Sequence, residues 1–282
     1  MRAVVAADLI RRTFQYLGYK VKFVRNYTDV GHLVSDGDEG EDKMAKGAKR
    51  EGLTPDEIAD KYIQIFEDDI NALNILPADV KPRATHYIKP MIEMVQDLLD
   101  KSFAYSTPKA IYFDVTKFPE YTKLSAQKLD LQEQGAGQGS VDDSQNKHHP
   151  ADFALWFFKT GTHKNALQTW PSPFSSPGVE KGEGFPGWHI ECSAMTKAEL
   201  GDTLDIHMGG IEHIPVHHPN EIAQSEAANG VKFVNYWLHN EHLNVDDGKM
   251  SKSDGTGFAL SELIEKGFDP LVLRYFFTQA HY

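Results

Sequence analysis

Cysteine is nearly absent: Cys192 is the one thiol in 282 residues, so no disulfide can form within the chain. A reducing compartment is expected, and a cytoplasmic protein with it. Long apolar runs are missing as well. No stretch approaches the roughly 20 residues that a spanning helix needs, so no membrane association of that kind is expected, and the amino end does not read as a secretory signal. Basic residues are in deficit, 29 Lys and Arg against 41 Asp and Glu, for a net charge of −12. That balance disfavours a protein that coats nucleic acid, while leaving room for a local basic patch. No internal repeat is visible, which excludes a solenoid or propeller.

What is present suits an ordinary soluble protein. Hydrophobic residues make up 40% and aromatics 11% of the chain, enough for one sizeable core or for one domain carrying an insertion; a monomer is expected. Helical spacing of Val4, Val5, Ala7, Leu9, Ile10, Phe14 and Leu17 predicts a helix over 1–18, with Gly18 as its stop. Residues 19–27 alternate and mix β-branched with aromatic side chains, which predicts a buried strand. The stretch 37–52 is charged and glycine-containing. Thr54 reads as the N-cap of a long helix, with Asp56 and Glu57 and then Ile58, Tyr62, Ile65 and Phe66 behind it. A further helix is predicted over 88–100.

Between 105 and 184 the texture changes to short strands, 111–115 and 153–158, separated by polar segments with proline and glycine. This reads as an inserted subdomain, with 132–150 as a mobile surface loop. After Gly187, helix and strand alternate again across 188–200, 204–207, 219–229 and 233–243. The whole predicts an α/β sheet domain interrupted by an insertion.

Three constellations could carry chemistry. Cys192, His217 and Glu221 offer sulfur, nitrogen and oxygen, the donor types that bind zinc. Trp188 lies four residues before Cys192, so indole and thiol share a helix face. Pro219 suits the first turn of a helix, which puts Glu221 in that turn, where the dipole favours a carboxylate. The same residues also fit a small buried core thiol and a solvated helix start, and the spacing alone leaves both readings open. Second, Asp205-Ile206-His207-Met208-Gly209-Gly210 runs a short strand into paired glycines. That is a place for a nucleotide to approach a sheet's backbone, or an ordinary turn. Third, Lys249-Met250-Ser251-Lys252-Ser253, among Asp246, Asp247, Gly248, Asp254, Gly255 and Gly257, sets two lysines in a glycine-flanked loop suited to the charge of a triphosphate.

The third string resembles the signature loop of class I aminoacyl-tRNA synthetases, and further segments resemble the cysteinyl member of that family. These are Asn26-Tyr27-Thr28-Asp29, Pro82-Arg83-Ala84-Thr85-His86, Trp170-Pro171-Ser172-Pro173 and the run from Pro186 through Trp188 and Cys192 to Met195. His217-His218-Pro219-Asn220-Glu221 and Asn235-Tyr236-Trp237 follow in the family's order. Small departures are Glu212 where Asp is usual, Pro219 where Glu is usual, and Asp254-Gly255 after the loop.

The resemblance implies a Rossmann-like parallel-sheet catalytic domain. Its first part would be 1–104, a connective subdomain would be inserted at 105–184, the second part would be 185–246, and the signature loop with the start of a stem-contact region would be 247–282. It implies a cysteine-tRNA ligase that activates L-cysteine with ATP and Mg2+ to cysteinyl-adenylate and transfers it to tRNA(Cys). One Zn2+ on Cys192, His217 and Glu221 would bind the substrate thiolate, which separates cysteine from serine better than shape could. Thr28, Trp188 and His207 would line the cysteine pocket, Gly209 and Gly210 the adenosine, and Lys249 and Lys252 the phosphates. The family's first strand, its first zinc cysteine and its His-Ile-Gly-His motif are expected before Met1, and a helical anticodon domain after Tyr282. On this reading the chain is a fragment with three of four zinc ligands. Two other readings fit the same motifs: a ligase joining cysteine to an amino sugar, and a non-catalytic binding module.

Overall fold

The computed structural model describes residues 1–31, 43–127, 129, 146–245, 248–249 and 259–279; for 43–46, 244–245 and 248–249 it describes the backbone only. The charged residues 37–42, most of the 132–150 loop and residues 250–253 of the lysine loop therefore lie outside the described residues, as does the side chain of Lys249.

Helix α1, Arg2–Tyr16, ends where expected, with Gly18 at φ +89°, a conformation that costs glycine little. Helix α2, Lys43–Glu51, was not foreseen in the charged stretch. Helix α3, Pro55–Ala72, starts at a reciprocal capping box: the Thr54 hydroxyl accepts from Glu57 N–H, and the Glu57 carboxylate accepts from Thr54 N–H at 2.8 Å. Ile58, Ala59 and Ile70 are buried on α3, whereas Tyr62 and Ile65 are exposed. Helix α2 touches the Ile58 end of that face through Gly47, and Tyr62 sits at the rim, its hydroxyl donating to Glu51 at 3.0 Å.

The strand expected over 19–27 is reduced to two isolated parallel bridges, Val24 to Val80 and Tyr27 to Arg83. Both keep one register. The position between them that would continue the ladder pairs Asn26 with Pro82, and proline has no N–H to donate, so pairing lapses there. The Pro82 carbonyl still accepts from Tyr27 N–H at 2.8 Å.

Helix α4, Ile88–Asp100, buries Ile88, Met91, Met94, Val95 and Leu98 at helical spacing. An antiparallel sheet follows, with strands β1 (Ala104–Ser106), β2 (Ala110–Phe113), β3 (Phe153–Phe158) and β4 (Gly184–Pro186) in that spatial order. Strand β3 is buried along its whole length. Opposite it, Ile111 pairs with Trp156 but Tyr112 with Ala154, so Leu155 is an extra residue in a bulge. The bulge lets Leu155 and Trp156 both join the main core with Phe113, Phe153, Met91 and Leu98, while Phe157 packs with Tyr112 and Phe185 in a second cluster.

Beyond that sheet, helix α5 (Trp188–Leu200) leads to strand β5 (Leu204–Gly210), helix α6 (His217–Asn229) and strand β6 (Val234–Asn240). β5 and β6 pair in parallel from Leu204 opposite Val234 to Gly210 opposite Asn240, with α6 as the crossover. Ile190 and Ala194 of α5 and Ala223 and Ala227 of α6 join the main core, so α5 and α6 pack on each other and on α4, and they carry the site described below.

A short strand pair, β7 (Asn244–Val245) with β8 (Gly248–Lys249), precedes helices α7 (Leu260–Glu265) and α8 (Pro270–Thr278). The last helix is tied to α1 by Asp8, which is 3% exposed. Its carboxylate accepts from Leu76 N–H at 2.9 Å, Arg12 at 2.8 Å and Arg274 at 2.5 Å, while Arg274 also donates to the Leu73 and Asn74 carbonyls. Burial alone would raise the Asp8 carboxyl, but that backbone donor and the two guanidinium groups hold it below its ordinary value. A depressed carboxyl contributes stability that is complete above its unfolded-chain pKa and is lost as pH falls through the folded one. Asp8→Asn is therefore expected to cost about 2 kcal/mol at neutral pH, a difference that closes below roughly pH 4. Urea unfolding of both proteins across that range checks it; equal midpoints at neutral pH would remove the tie from the account.

Candidate metal and substrate site

Glu221 is the centre of the site and is fully buried. It lies one helical turn after His217 on α6, so the two side chains share a face, and His217 Nε2 stands 2.9 Å from its Oε1. His207, from the middle of β5, brings Nε2 to 3.1 Å from the other oxygen. α6 begins at His217, two residues earlier than the proline suggested. Pro219 is accommodated as the third residue because first-turn N–H groups have no helical acceptor to lose. Glu221 is thus in the second turn, and its neighbours are imidazoles rather than a helix end.

Cys192 comes from the second turn of α5. Its sulfur, a nitrogen of His217 and an oxygen of Glu221 all lie within 4.8 Å of one another, and His207, His218 and Glu221 form a second group that meets the same spacing. Asn26 Nδ2 approaches the sulfur to 3.5 Å from the segment that also bears Thr28, which is half-buried. The Trp188 ring tilts against His217 with centroids 4.4 Å apart, and Trp237 stands edge-on to His207 at 4.9 Å.

Electrostatically the site is divided. Burial would raise the Glu221 carboxyl, yet His207 and His217 hold it well below the carboxylate range, so it is ionised at neutral pH. Burial, with the charges of Glu221 and Glu191 beside it, pushes the Cys192 thiol well up. Burial lowers His218, whose pKa falls to about 2, and also His213 and His239. A carboxylate, a thiol that ionises only against a cation, and imidazole nitrogens are the donor set of a thiophilic divalent metal. The carboxylate supports that fit: both oxygens stand at contact distance from ring nitrogens, but neither accepts an aligned hydrogen bond from any described residue. Buried carboxylate oxygens without such a bond are costly unless a cation takes them up.

Of the residues named from sequence, Cys192, His217, Glu221, His207 and Trp188 converge. Gly209 and Gly210 end β5 beside them, but the space a side chain would take there is filled from within. A Cβ on Gly209 would meet His218 Cε1 at 2.5 Å, and one on Gly210 the Glu212 carboxylate at 2.2 Å. Lys249 reaches the described residues only as backbone of β8, and Lys252 lies outside them. Reading the sequence missed His189, His213 and His239. His189 Nδ1 is 2.8 Å from His217 Nδ1, and His239 Nε2 is 2.7 Å from His218 Nδ1. The available signal was density: six histidines fall between 189 and 218 or at 239 in the segments that carry Cys192 and Glu221.

The comparisons agree with one another. The family model described as the tRNA synthetases class I (C) catalytic domain matches residues 1–282. Among curated proteins, the cysteine--tRNA ligase of Deinococcus radiodurans is 46% identical over 278 residues, 99% of this chain and 53% of that protein. Those of Treponema denticola and Thermus thermophilus are each 44% identical, over 100% of this chain and 55% of their own length. The chain therefore spans about half the length of these relatives. Among solved structures, Mycobacterium tuberculosis methionyl-tRNA synthetase bound by methionyl-adenylate superposes with a TM-score of 0.66 at 16% identity, covering 98% of this chain and 60% of that one. This likeness concerns the fold, an α/β class I synthetase catalytic domain of the Rossmann-like kind. No described helix is long and apolar enough to cross a membrane. With a match along its whole length and relatives above 40% identity, the chain belongs to the class I (C) tRNA synthetase catalytic-domain family.

Proposed function

We propose that this chain is the catalytic part of a cysteine-tRNA ligase, in which Cys192, His217 and Glu221 hold one Zn2+ that selects the substrate by its thiol. The observation that carries the reading is the convergence of sulfur, nitrogen and carboxylate donors from α5 and α6 within 4.8 Å, around a buried carboxylate. When bound, the metal would supply a Lewis-acid partner for a thiolate, which a serine hydroxyl at neutral pH cannot replace.

The chain's own residues do the rest. Trp188 and His207 flank the donors and, with Thr28 on the neighbouring segment, form the walls against which L-cysteine is oriented. Its carboxylate is ionised at neutral pH and needs no general base to attack the α-phosphate of ATP, so the site's task is alignment and charge. Gly209 and Gly210, at the carboxyl end of β5, stand where parallel sheets receive nucleotides, and with their own flanks filled they would offer backbone edges to adenosine. Lys249 and Lys252, together with the Mg2+ that accompanies ATP, would neutralise the departing pyrophosphate. The cysteinyl group would then pass to tRNA(Cys). In this reading 1–104 and 185–246 are the two parts of the catalytic domain, 105–184 the inserted connective unit, and 247–282 the loop and stem-contact region of a cytoplasmic monomer.

The test starts from binding. Loaded with zinc, the chain is expected to bind cysteine and to ignore serine. Loaded with Co2+, it should gain a second sulfur-to-metal charge-transfer band when cysteine is added. Cysteine-dependent ATP–pyrophosphate exchange should follow, measured on this chain and on the chain joined to the additional sequence its relatives carry. Equal affinity for cysteine and serine in the loaded protein would reject the assignment.

A further inference from the structure

We propose that His189 is a positioning residue for His217: it accepts the Nδ1 proton of His217 and so fixes the ring in the tautomer that leaves Nε2 free for the metal. The inference rests on the zinc reading given above.

The two histidines are 28 positions apart, in the first turns of α5 and α6, and both rings are buried. A separation of 2.8 Å between two ring nitrogens requires one proton between them, since one must donate and the other accept. On the opposite side of the His217 ring, Nε2 faces Glu221 Oε1 at 2.9 Å. A nitrogen that binds a metal carries no proton, and a neutral imidazole then keeps its proton on the other nitrogen. His217 therefore donates from Nδ1, and His189 receives at Nδ1 with its own proton on Nε2. The pair crosses between helices and aligns the ring of α6 with the thiol of α5.

His189 is itself held. Gln224 of α6 donates to its backbone carbonyl at 2.5 Å, Phe153 meets its ring edge-on at 5.6 Å, and Trp188 stacks at 5.5 Å. Metal-bound histidines are more often backed by a carboxylate or a backbone carbonyl. Here an imidazole that accepts at Nδ1 does that task.

The experiment uses the whole chain with three substitutions. His189→Leu fills similar space without an acceptor, His189→Asn offers an amide oxygen near the position of Nδ1, and His189→Gln offers it near Nε2. Zinc affinity, read by competition with a chromogenic chelator, is expected to fall 10- to 100-fold in His189→Leu, the usual loss on removing such a partner, and to stay within about threefold in His189→Asn. The Co2+ form of His189→Asn should keep the parent's ligand-field bands, and that of His189→Leu should not. A His189→Leu protein with parental zinc affinity and spectrum would overturn the proposal. If that variant fails to fold by circular dichroism, the Asn and Gln variants decide: Asn must bind zinc more tightly than Gln, and equal weakening rejects the role. Cys192→Ser separates the two levels. Its losing zinc while His189→Leu does not removes only the role of His189; zinc bound unchanged in Cys192→Ser removes the metal reading itself.

Discussion

Glu221→Gln is expected to weaken zinc binding by about two orders of magnitude while leaving the fold in place. Spreading the roughly 10–16 kcal/mol of a four-ligand structural zinc site evenly gives about 3 kcal/mol per ligand, or a factor near 100 in affinity. Glutamine keeps the shape of the side chain and removes its charge. Geometry makes this carboxylate the strongest choice among the three ligands. It is fully buried between two imidazoles, and despite its burial it is held well below the ordinary carboxylate range, so no proton has to leave it when the cation arrives. Cysteine binding in the presence of zinc should fall in parallel, because the thiolate's partner is lost with the metal. Zinc titration against a competing chelator measures the effect. Parental affinity in Glu221→Gln would mean that the donors converge for packing reasons and that the thiol selection lies elsewhere.

How much of this could be read beforehand depended on the distance over which each feature is decided. Local rules found α1, α3, α4, α5 and β3, because apolar spacing, the Thr54 cap and the Gly18 stop act within a few residues. The strand over 19–27 failed for a non-local reason: its partner carries Pro82 at the register position where a donor is needed. Tyr62 and Ile65 lie on the helix face that periodicity selects, but whether that face is covered depends on the reach of α2. In the site, donor types singled out Cys192, His217 and Glu221. Their neighbours His189 and His239 act through contacts between separate elements, 28 and 21 residues away from their partners, which no spacing rule reports. The paired glycines show the same limit. Sequence marks them as backbone that something approaches, and folding decides that at Gly209 the approaching groups include the chain's own imidazoles.

Gly187→Ala should be the most damaging single methyl addition near the site. Gly187 caps α5 with φ −69° and ψ 158°, a conformation open to any residue, so the constraint is space and not backbone strain. An added Cβ would stand 2.0 Å from the Ala154 carbonyl oxygen and 2.9 Å from its carbon. Neither is the tip of a side chain that could turn aside. Both belong to β3, which is buried along its length, and the Gly187 N–H itself donates to Leu155 at 3.0 Å. Relief therefore means moving α5 away from the sheet, at a cost of about 3 kcal/mol or more, which lowers the melting temperature by roughly 10 °C. The residues next in line are Trp188 and His189, with Cys192 one turn on, whereas His217 and Glu221 ride on α6. Shifting one helix against the other pulls the thiol from the carboxylate, so zinc affinity should fall together with stability. Gly47→Ala is the matched control: among the described residues, its Cβ on α2 would meet Ile58 at an ordinary 3.7 Å, and replacing a helical glycine there should stabilise by about 0.5–1 kcal/mol. Thermal melts and zinc titrations of the two variants separate the effects, and a Gly187→Ala protein melting with the parent would show that α5 is not seated on β3 as closely as the structure has it.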